Sequence, residues 1–287
     1  MTPNEEILNF YKEPGIITAL KDHQHLVKDT ADDIPALVRQ IQGLVIHVFW
    51  FERMGVQIPE QRKGEVELRY TAKQLDRILE LNSGPLKVAR PGVERLVGNC
   101  RDFSTIMAAL LRQKGVPARA RCGFGCYFLP DHYEDHWVCE VWDAAAGRWV
   151  LVDSQLDEFQ CKEMKITFSP LDVPRDEFLT AGVAWQMCRN GEADPDSFGI
   201  FDMHGMWFIR GNLVRDFLSL NKIELLPWDV FGLIGKKDEE LSEEDMALLD
   251  TLADLTIKGD QAFTKIRSLF EEKKELDPSA FLAEQEE

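Results

Sequence analysis

Residues 98–119 read GNCRDFSTIMAALLRQKGVPAR, and this stretch decides the fold. Its apolar residues recur at the spacing of one helical face, at positions 103, 106, 107, 110 and 111. Gly115 stands where a left-handed residue ends a helix, and Pro117 prevents the helix from continuing. The pattern therefore predicts a helix with Cys100 at its N-terminus.

Three strands are predicted after this helix. Residues 118–127 alternate small or apolar residues with arginine and glycine, and residues 136–142 and 148–153 are rich in β-branched and aromatic types. The short loop between the last two predicts an antiparallel hairpin. A turn centred at about 144.5 would place His136 opposite Asp153.

The flanking segments are predicted to be helical. Apolar spacing predicts helices over 34–54 and 71–82, with a loop over 85–99 that leads to Cys100. A further helix is predicted over 205–221. Ser242 has the residue type of a helix N-cap, so it predicts the start of the first of two acidic helices, at roughly 242–257 and 260–274.

Length and composition suit a globular protein of one large domain or two small ones. The chain has 287 residues, of which 45% are apolar and 29% charged. We interpret residues 1–235 as one domain, with a motif-bearing core over 98–153 and an extension over 161–235. Residues 236–287 carry 7 basic and 16 acidic side chains, and we interpret them as an acidic helical tail.

The charge balance argues against two classes of partner. The chain has 33 Lys and Arg against 50 Asp and Glu, which gives a net charge of −17 at pH 7. Nucleic-acid binding depends on basic side chains that neutralise phosphates, and an anionic membrane surface would repel an acidic chain. We therefore expect neither nucleic acid nor a membrane as partner.

The cysteines and the N-terminus predict a cytoplasmic location. Residues 1–6 lack the basic and apolar regions of a signal peptide, and the apolar run 44–51 is far shorter than the ~20 residues of a membrane span. The six cysteines include no CxxC pair, so we expect reduced thiols rather than zinc or redox motifs. We expect no metal site and no cofactor.

Cys100, His136 and Asp153 together suit nucleophilic catalysis. A thiol attacks a carbonyl as the thiolate, which a helix N-terminus and a nearby histidine both favour. The histidine would hold the proton and return it to the leaving group, and a carboxylate on its other ring nitrogen would fix its orientation. We therefore assign Cys100 as nucleophile, His136 as general base and acid, and Asp153 as the residue that orients the histidine.

Four ordered blocks within residues 98–153 resemble the transglutaminase-like superfamily, and they begin at Gly98, Ala109, His136 and Trp149. The pattern of that superfamily runs, roughly, G-x-C-x-D, L-L-R-x-x-G-[IV]-P-A-R, H-x-W-x-E-V and W-x-x-V-D. This sequence departs from it at Trp137, which follows His136 directly, whereas the family pattern has tryptophan one residue later.

The resemblance implies a papain-like α+β fold, with the cysteine at a helix N-terminus packed on an antiparallel sheet. It also implies thiol acyl transfer, in which an acyl-enzyme forms on Cys100 and either water or an amine takes the acyl group. Water would make the protein a cysteine protease or amidase, and an amine would make it a transamidase. The substrate would be a peptide, a protein or a small amide.

Several alternatives stay open on the sequence alone. Asp153 would equally suit a residue that ends its strand and caps a turn, and we expect structural roles for Asp102 and Glu140. The second oxyanion donor is not singled out by the sequence; the candidates are Trp50, Gln57, Gln61 and Gln74. A non-catalytic binding module of the same fold, whose acidic tail recruits a partner, is the alternative function.

Overall fold

A computed structural model describes residues 5–285, which form two compact units. The first unit consists of Met1–Ala120 with Trp137–Pro174, and the second of Arg121–His136 with Arg175–Glu287. The N-terminal residues that bear on a signal peptide lie partly outside the described residues. None of the helices within residues 5–285 has both the length and the apolar character that crossing a bilayer requires.

The elements of the first unit run in chain order from a short N-terminal helix to a helix after the sheet. Its helices are α1 (Glu5–Lys12), α2 (Ile34–Leu44), α3 (Thr71–Leu81), α4 (Cys100–Gln113) and α5 (Glu158–Glu163). Its strands are β1 (Val45–His47), β2 (Leu96–Gly98) and β5 (Arg148–Val152), with the start of β3 (Ala118–Leu129) and the end of β4 (His132–Asp143). Stretches of 3-10 turns cover Lys21–Asp29, Glu60–Glu67 and Gly92–Glu94.

The helix α4 lies at the centre of the first unit. Residues 100–112 of this helix are all buried. The polar residues on the other faces of the helix, such as Arg101 and Arg112, are therefore enclosed together with the apolar ones. The core packs apolar residues of α4 together with those of α2 and α3, which include Leu37, Ile41, Leu75, Ile78, Ile106 and Leu110. The predicted helices over 71–82 and from Cys100 are confirmed.

The prediction of one helix over 34–54 is wrong beyond Leu44. The chain leaves the helix at Val45 and forms β1, which pairs in parallel with β2 so that His47 faces Gly98. The β-branched pair Val45 and Ile46 suits an extended backbone better than a helix. The pairing also places a strand inside the segment 85–99, which the sequence predicted as a loop.

The hairpin of β4 and β5 forms with a register two residues from the predicted one. Its ladder runs from the pair Asp143 and Arg148 to the pair Cys139 and Val152. Asp143 Oδ1 accepts hydrogen bonds from the backbone N–H groups of Ala145 and Ala146. The turn that these bonds stabilise lies between Asp143 and Arg148, closer to the C-terminus than the predicted turn. Continued by one residue, the register sets Asp153 opposite Val138, so the predicted pairing with His136 is wrong.

The second unit combines a sheet with a group of helices. Its strand order is β6 (Phe178–Thr180), β3, β4, β7 (Phe198–Ile200) and β8 (Met203–His204), and β4 pairs with β7 in parallel. Its helices are α6 (Ala181–Arg189), α7 (Met206–Leu220), α8 (Gly232–Gly235), α9 (Glu243–Lys258), α10 (Phe263–Glu272) and α11 (Ser279–Glu284). The predicted helix over 205–221 is confirmed, and Ser242 caps α9 by accepting from Asp245 N.

A buried ion pair ties β3 to the helices of the second unit. Asp216 is fully buried on α7, and its carboxylate accepts from Arg121 Nε and Nη2, both at 2.8 Å, and from Cys122 N at 3.0 Å. Arg121 also donates to the carbonyl of Thr256 on α9 at 3.1 Å. The helices after residue 235 therefore belong to this unit, and the domain boundary predicted at 235 stays a prediction.

Candidate active site

The short parallel pair of β1 and β2 positions the backbone that leads into α4, which begins at Cys100. Val48 N donates to Gly98 O at 2.8 Å, which extends that pairing to the residue before the helix cap. A Cβ atom on Gly98 would lie 2.9 Å from Val45 Cγ1 and 3.0 Å from Asp102 Oδ2, so only glycine fits there without displacing a neighbour. The close approach fixes the backbone immediately before Cys100.

Asn99 caps α4 through a reciprocal pair of hydrogen bonds. Its side chain accepts from the backbone N–H groups of Arg101 at 3.0 Å and Asp102 at 3.4 Å, and Asp102 Oδ2 accepts from Asn99 N at 2.9 Å. This capping box satisfies N–H groups that have no partner within the helix. Cys100 is therefore the first residue of a helix whose N-terminus is capped, and its position at a helix N-terminus is as the sequence predicts.

The carboxylate of Asp102 is held within a buried polar cluster below the helix start. Gln74 Nε2 donates to Asp102 Oδ1 at 2.7 Å, and Arg101 Nη1 donates to the same oxygen at 3.1 Å. Burial raises the pKa of Asp102, and the neighbouring guanidinium and the N–H of Asn99 oppose that rise. The structural role expected for Asp102 is confirmed.

Replacement of Asn99 by alanine is expected to lower the free energy of unfolding by about 2 kcal/mol. The substitution removes a helix cap and leaves the buried N–H of Arg101 without its acceptor. Urea denaturation measures this loss. Asn99→Ser keeps an accepting oxygen and should retain most of the stability; equal losses for the alanine and serine variants would contradict the capping role.

His136 lies on β4. The part of this strand up to His136 belongs to the second unit, and the part from Trp137 onward belongs to the first unit. The side chain of His136 is 1% exposed, and three aromatic rings meet it edge-on. The ring centroids lie 4.8 Å from Phe128, 5.9 Å from Tyr127 and 6.3 Å from Phe178. The imidazole is therefore shielded from bulk water and restricted in its rotation.

Asp153 directly follows β5 and is fully buried. Its backbone N donates to Pro170 O at 2.8 Å, and its Oδ1 accepts from the N–H groups of Gln155 at 3.0 Å and Leu156 at 3.3 Å. Asp153 thus caps a turn, as one of the two interpretations of the sequence predicts. These hydrogen bonds hold Oδ1 of its carboxylate in place.

The three predicted catalytic residues are divided between the units. Cys100 and Asp153 lie in the first unit, and His136 lies in the second. The structure establishes the local setting of each residue, and the triad of Cys100, His136 and Asp153 stays a prediction.

The other cysteines are held in environments that suppress thiolate formation or prevent access. Cys122 and Cys139 are fully buried. Burial, with acidic neighbours, raises the pKa of Cys126 to about 12 and those of Cys161 and Cys188 to about 11. Asp153 is one of the carboxylates that act on Cys161. Cys100 keeps 7% of its surface exposed.

Among the candidates for a second oxyanion donor, Gln74 already uses its side-chain amide in hydrogen bonds within the protein. Its Nε2 donates to Asp102 and also to Leu68 O, so that this amide serves the cluster below α4. Trp50 is buried, whereas Gln57 and Gln61 are exposed. The donor stays unassigned.

His47 lies in β1, although the apolar spacing of residues 34–54 predicts a helix there. His47 is the partner of Gly98 in the β1–β2 pair, and its ring stacks on Phe103 of α4 at 6.5 Å between centroids. Its Nδ1 accepts from Phe49 N at 3.2 Å. The signal in the sequence was the β-branched pair that precedes His47.

The structural role expected for Glu140 is an internal ion pair. Arg119 Nε donates to Glu140 Oε2 at 2.6 Å, and both side chains are buried. Outside the candidate triad, His204 is exposed and pairs with Asp196 at 3.0 Å.

A family model and a solved structure each match part of this chain. Residues 67–154 match the family model of the transglutaminase-like superfamily. A crystal structure named "putative cysteine protease", from Cytophaga hutchinsonii, matches with 19% sequence identity and a TM-score of 0.35. That match covers 62% of this chain and 46% of the other, so it spans less than half the length of that protein. A comparison with curated proteins finds no match.

The matched segment contains Cys100, His136 and Asp153, together with α4 and the strands β3 to β5. A capped helix followed by antiparallel strands is the arrangement that the sequence predicts for a papain-like α+β fold, and the fold class is confirmed. The resemblance to the transglutaminase-like superfamily is confirmed for residues 67–154, which are similar to its family model.

Proposed function

We propose that the protein transfers acyl groups through a thioester on Cys100, by hydrolysis of an amide or by transfer to an amine. The observation that carries the proposal is the position of Cys100, which is the first residue of a capped, buried helix inside the segment that matches the superfamily. The partial positive charge at a helix N-terminus favours a thiolate at that position.

In the proposed reaction the thiolate of Cys100 attacks the carbonyl carbon of the substrate amide. The C–N bond breaks, and the imidazolium of His136 gives its proton to the departing amine. Water or a second amine then attacks the thioester, His136 takes the proton of that nucleophile, and the C–S bond breaks to regenerate the thiolate. The substrate class is a peptide, a protein or a small amide.

The surroundings of His136 support its role as proton carrier. The rings of Tyr127, Phe128 and Phe178 restrict the imidazole and exclude water, which strengthens any charge interaction it makes. Asp153 is fully buried, and its Oδ1 is held by two backbone N–H groups, so its carboxylate is restricted in a way that suits the orientation of a histidine. Six free cysteines support a cytoplasmic location.

An activated ester tests the proposal without knowledge of the natural substrate. The full chain, incubated with p-nitrophenyl acetate, is expected to release nitrophenol in a burst and to carry an acetyl group on Cys100 that mass spectrometry locates. Cys100→Ser should abolish the burst, whereas Cys126→Ser should leave it unchanged. Acetylation that persists in Cys100→Ser would overturn the assignment.

Adding methylamine separates the two possible second steps. Faster turnover with formation of N-methylacetamide indicates transfer to an amine, whereas turnover independent of the amine indicates hydrolysis.

A further inference from the structure

The first unit contains a cavity of about 420 Å³, and none of the three predicted catalytic residues lines it. Three segments form its wall: residues 28–31 at the end of the first 3-10 turn, residues 36–40 of α2, and residues 87–89 of the loop after α3. A volume of this size falls within the range of about 300–1,000 Å³ that small-molecule sites occupy.

The charge of this cavity is opposite to that of the chain. Lys28, Arg39 and Lys87 line it, and within the described residues none of the three forms an ion pair. Asp29 contributes one carboxylate, which leaves a net charge of two positive units in a chain whose total is −17. Three cations gathered without partners repel one another, and an anion in the cavity would relieve that repulsion.

A second observation points to a ligand with oxygen acceptors. Gln40 also lines the cavity and is 8% exposed. Its Oε1 accepts from Ala31 N at 2.9 Å, which fixes the orientation of the amide. Its Nε2 finds no acceptor among residues 5–285. A buried N–H without a partner is destabilising, and a ligand oxygen would satisfy it.

The wall of the cavity is held in place by a close approach between α2 and the loop that carries Lys87. A Cβ atom on Gly43 would lie 2.9 Å from Ala89 Cβ, so the glycine lets the loop lie directly against the helix. Arg90 N donates to Gly43 O at 2.9 Å, and Arg90 Nη2 donates to the carbonyls of Asn82 and Gly84. The loop is fixed before any ligand arrives, which lowers the entropy cost of binding.

We propose that this cavity binds a small organic phosphate monoester in its dianionic form. Lys28, Arg39 and Lys87 neutralise the phosphate, and Gln40 Nε2 donates to one of its oxygens. Asp29 accepts from a hydroxyl group on the organic part, which favours an ester of a polyhydroxy compound over inorganic phosphate. The proposal does not rest on the proposed catalytic function.

Isothermal titration of the full chain at low ionic strength tests the site, with glycerol 3-phosphate as the probe. Saturable binding to one site per chain is expected, with an affinity at least threefold higher than for inorganic phosphate. Acetate, a monoanion, should bind at least tenfold more weakly than glycerol 3-phosphate. Phosphatidylcholine vesicles that contain phosphatidic acid form a second arm, and tighter binding to them than to glycerol 3-phosphate would overturn a soluble ligand.

Two sets of variants separate the site from general charge effects. Arg39→Met with Lys87→Met removes two exposed charges and should weaken glycerol 3-phosphate binding at least tenfold, whereas Lys73→Met, outside the cavity, should change it less than twofold. Gln40→Glu keeps the acceptor for Ala31 and replaces the N–H donor by a carboxylate, so it should also weaken binding at least tenfold. No saturable heat with the unaltered chain, or equal affinity in the double variant, would overturn the proposal.

Discussion

Iodoacetamide at pH 7 is expected to modify Cys100 about a hundredfold faster than Cys126, Cys161 or Cys188. Those three thiols are more exposed than Cys100, but their pKa values of about 11 to 12 leave them almost wholly protonated. In the proposed mechanism the helix N-terminus and the imidazole of His136 both favour the thiolate of Cys100, and a thiolate attacks iodoacetamide far faster than a thiol does. Peptide mapping after timed labelling measures the four rates.

Two histidine variants serve as the test and its matched control. His136→Ala should slow the labelling of Cys100 by at least tenfold, because the thiolate loses its proposed ion-pair partner. His204→Ala removes an exposed imidazole of the same unit and should leave the rate unchanged. If access alone governed reactivity, the three half-buried cysteines would react first, and the proposed activation of Cys100 would be wrong.

Asp216→Ala is expected to lower the free energy of unfolding by about 3–5 kcal/mol, since it leaves a buried guanidinium without its partner. Arg121 and Asp216 are both buried and are joined by two hydrogen bonds of 2.8 Å. The substitution also removes the acceptor of Cys122 N. The midpoint of urea unfolding measures the effect, at an unchanged dependence on denaturant.

An exposed pair of the same chemistry provides the control. Arg148 and Asp172 are about half exposed and joined by hydrogen bonds of 2.5 and 3.0 Å, so Asp172→Ala should cost less than about 1 kcal/mol. The double variant Arg121→Met with Asp216→Leu should be more stable than Asp216→Ala, because no buried charge is left unpaired. Equal losses in the two alanine variants would contradict the role of burial.

Local signals predicted the parts of the fold that depend on neighbouring residues. The apolar spacing within residues 100–113, Gly115 at φ +74 after the helix and the cap of Ser242 all act within a few residues of the element they define. The position of Cys100 at a helix N-terminus followed from such signals. The family resemblance, which is carried by short ordered blocks, was confirmed for the same reason.

The sequence failed where distant segments decide the structure. Residues 45–47 continue the apolar spacing of α2, and only pairing with β2 about fifty residues later makes them a strand. The hairpin register was missed for a local reason instead, because Asp143 accepts hydrogen bonds from two backbone N–H groups of its own loop. Phe178, which shields His136, comes from another strand of the sheet, so no local pattern indicates its position.

The ion pair beneath β3 also sets an order of events for the newly synthesised chain. Arg121 leaves the ribosome 95 residues before Asp216 and 135 residues before the carbonyl of Thr256 to which it donates. Until those residues emerge, the guanidinium of Arg121 lacks both the carboxylate and the carbonyl that it contacts in the folded protein. The second unit is therefore expected to mature only near the end of translation, as contacts of long sequence separation form slowly.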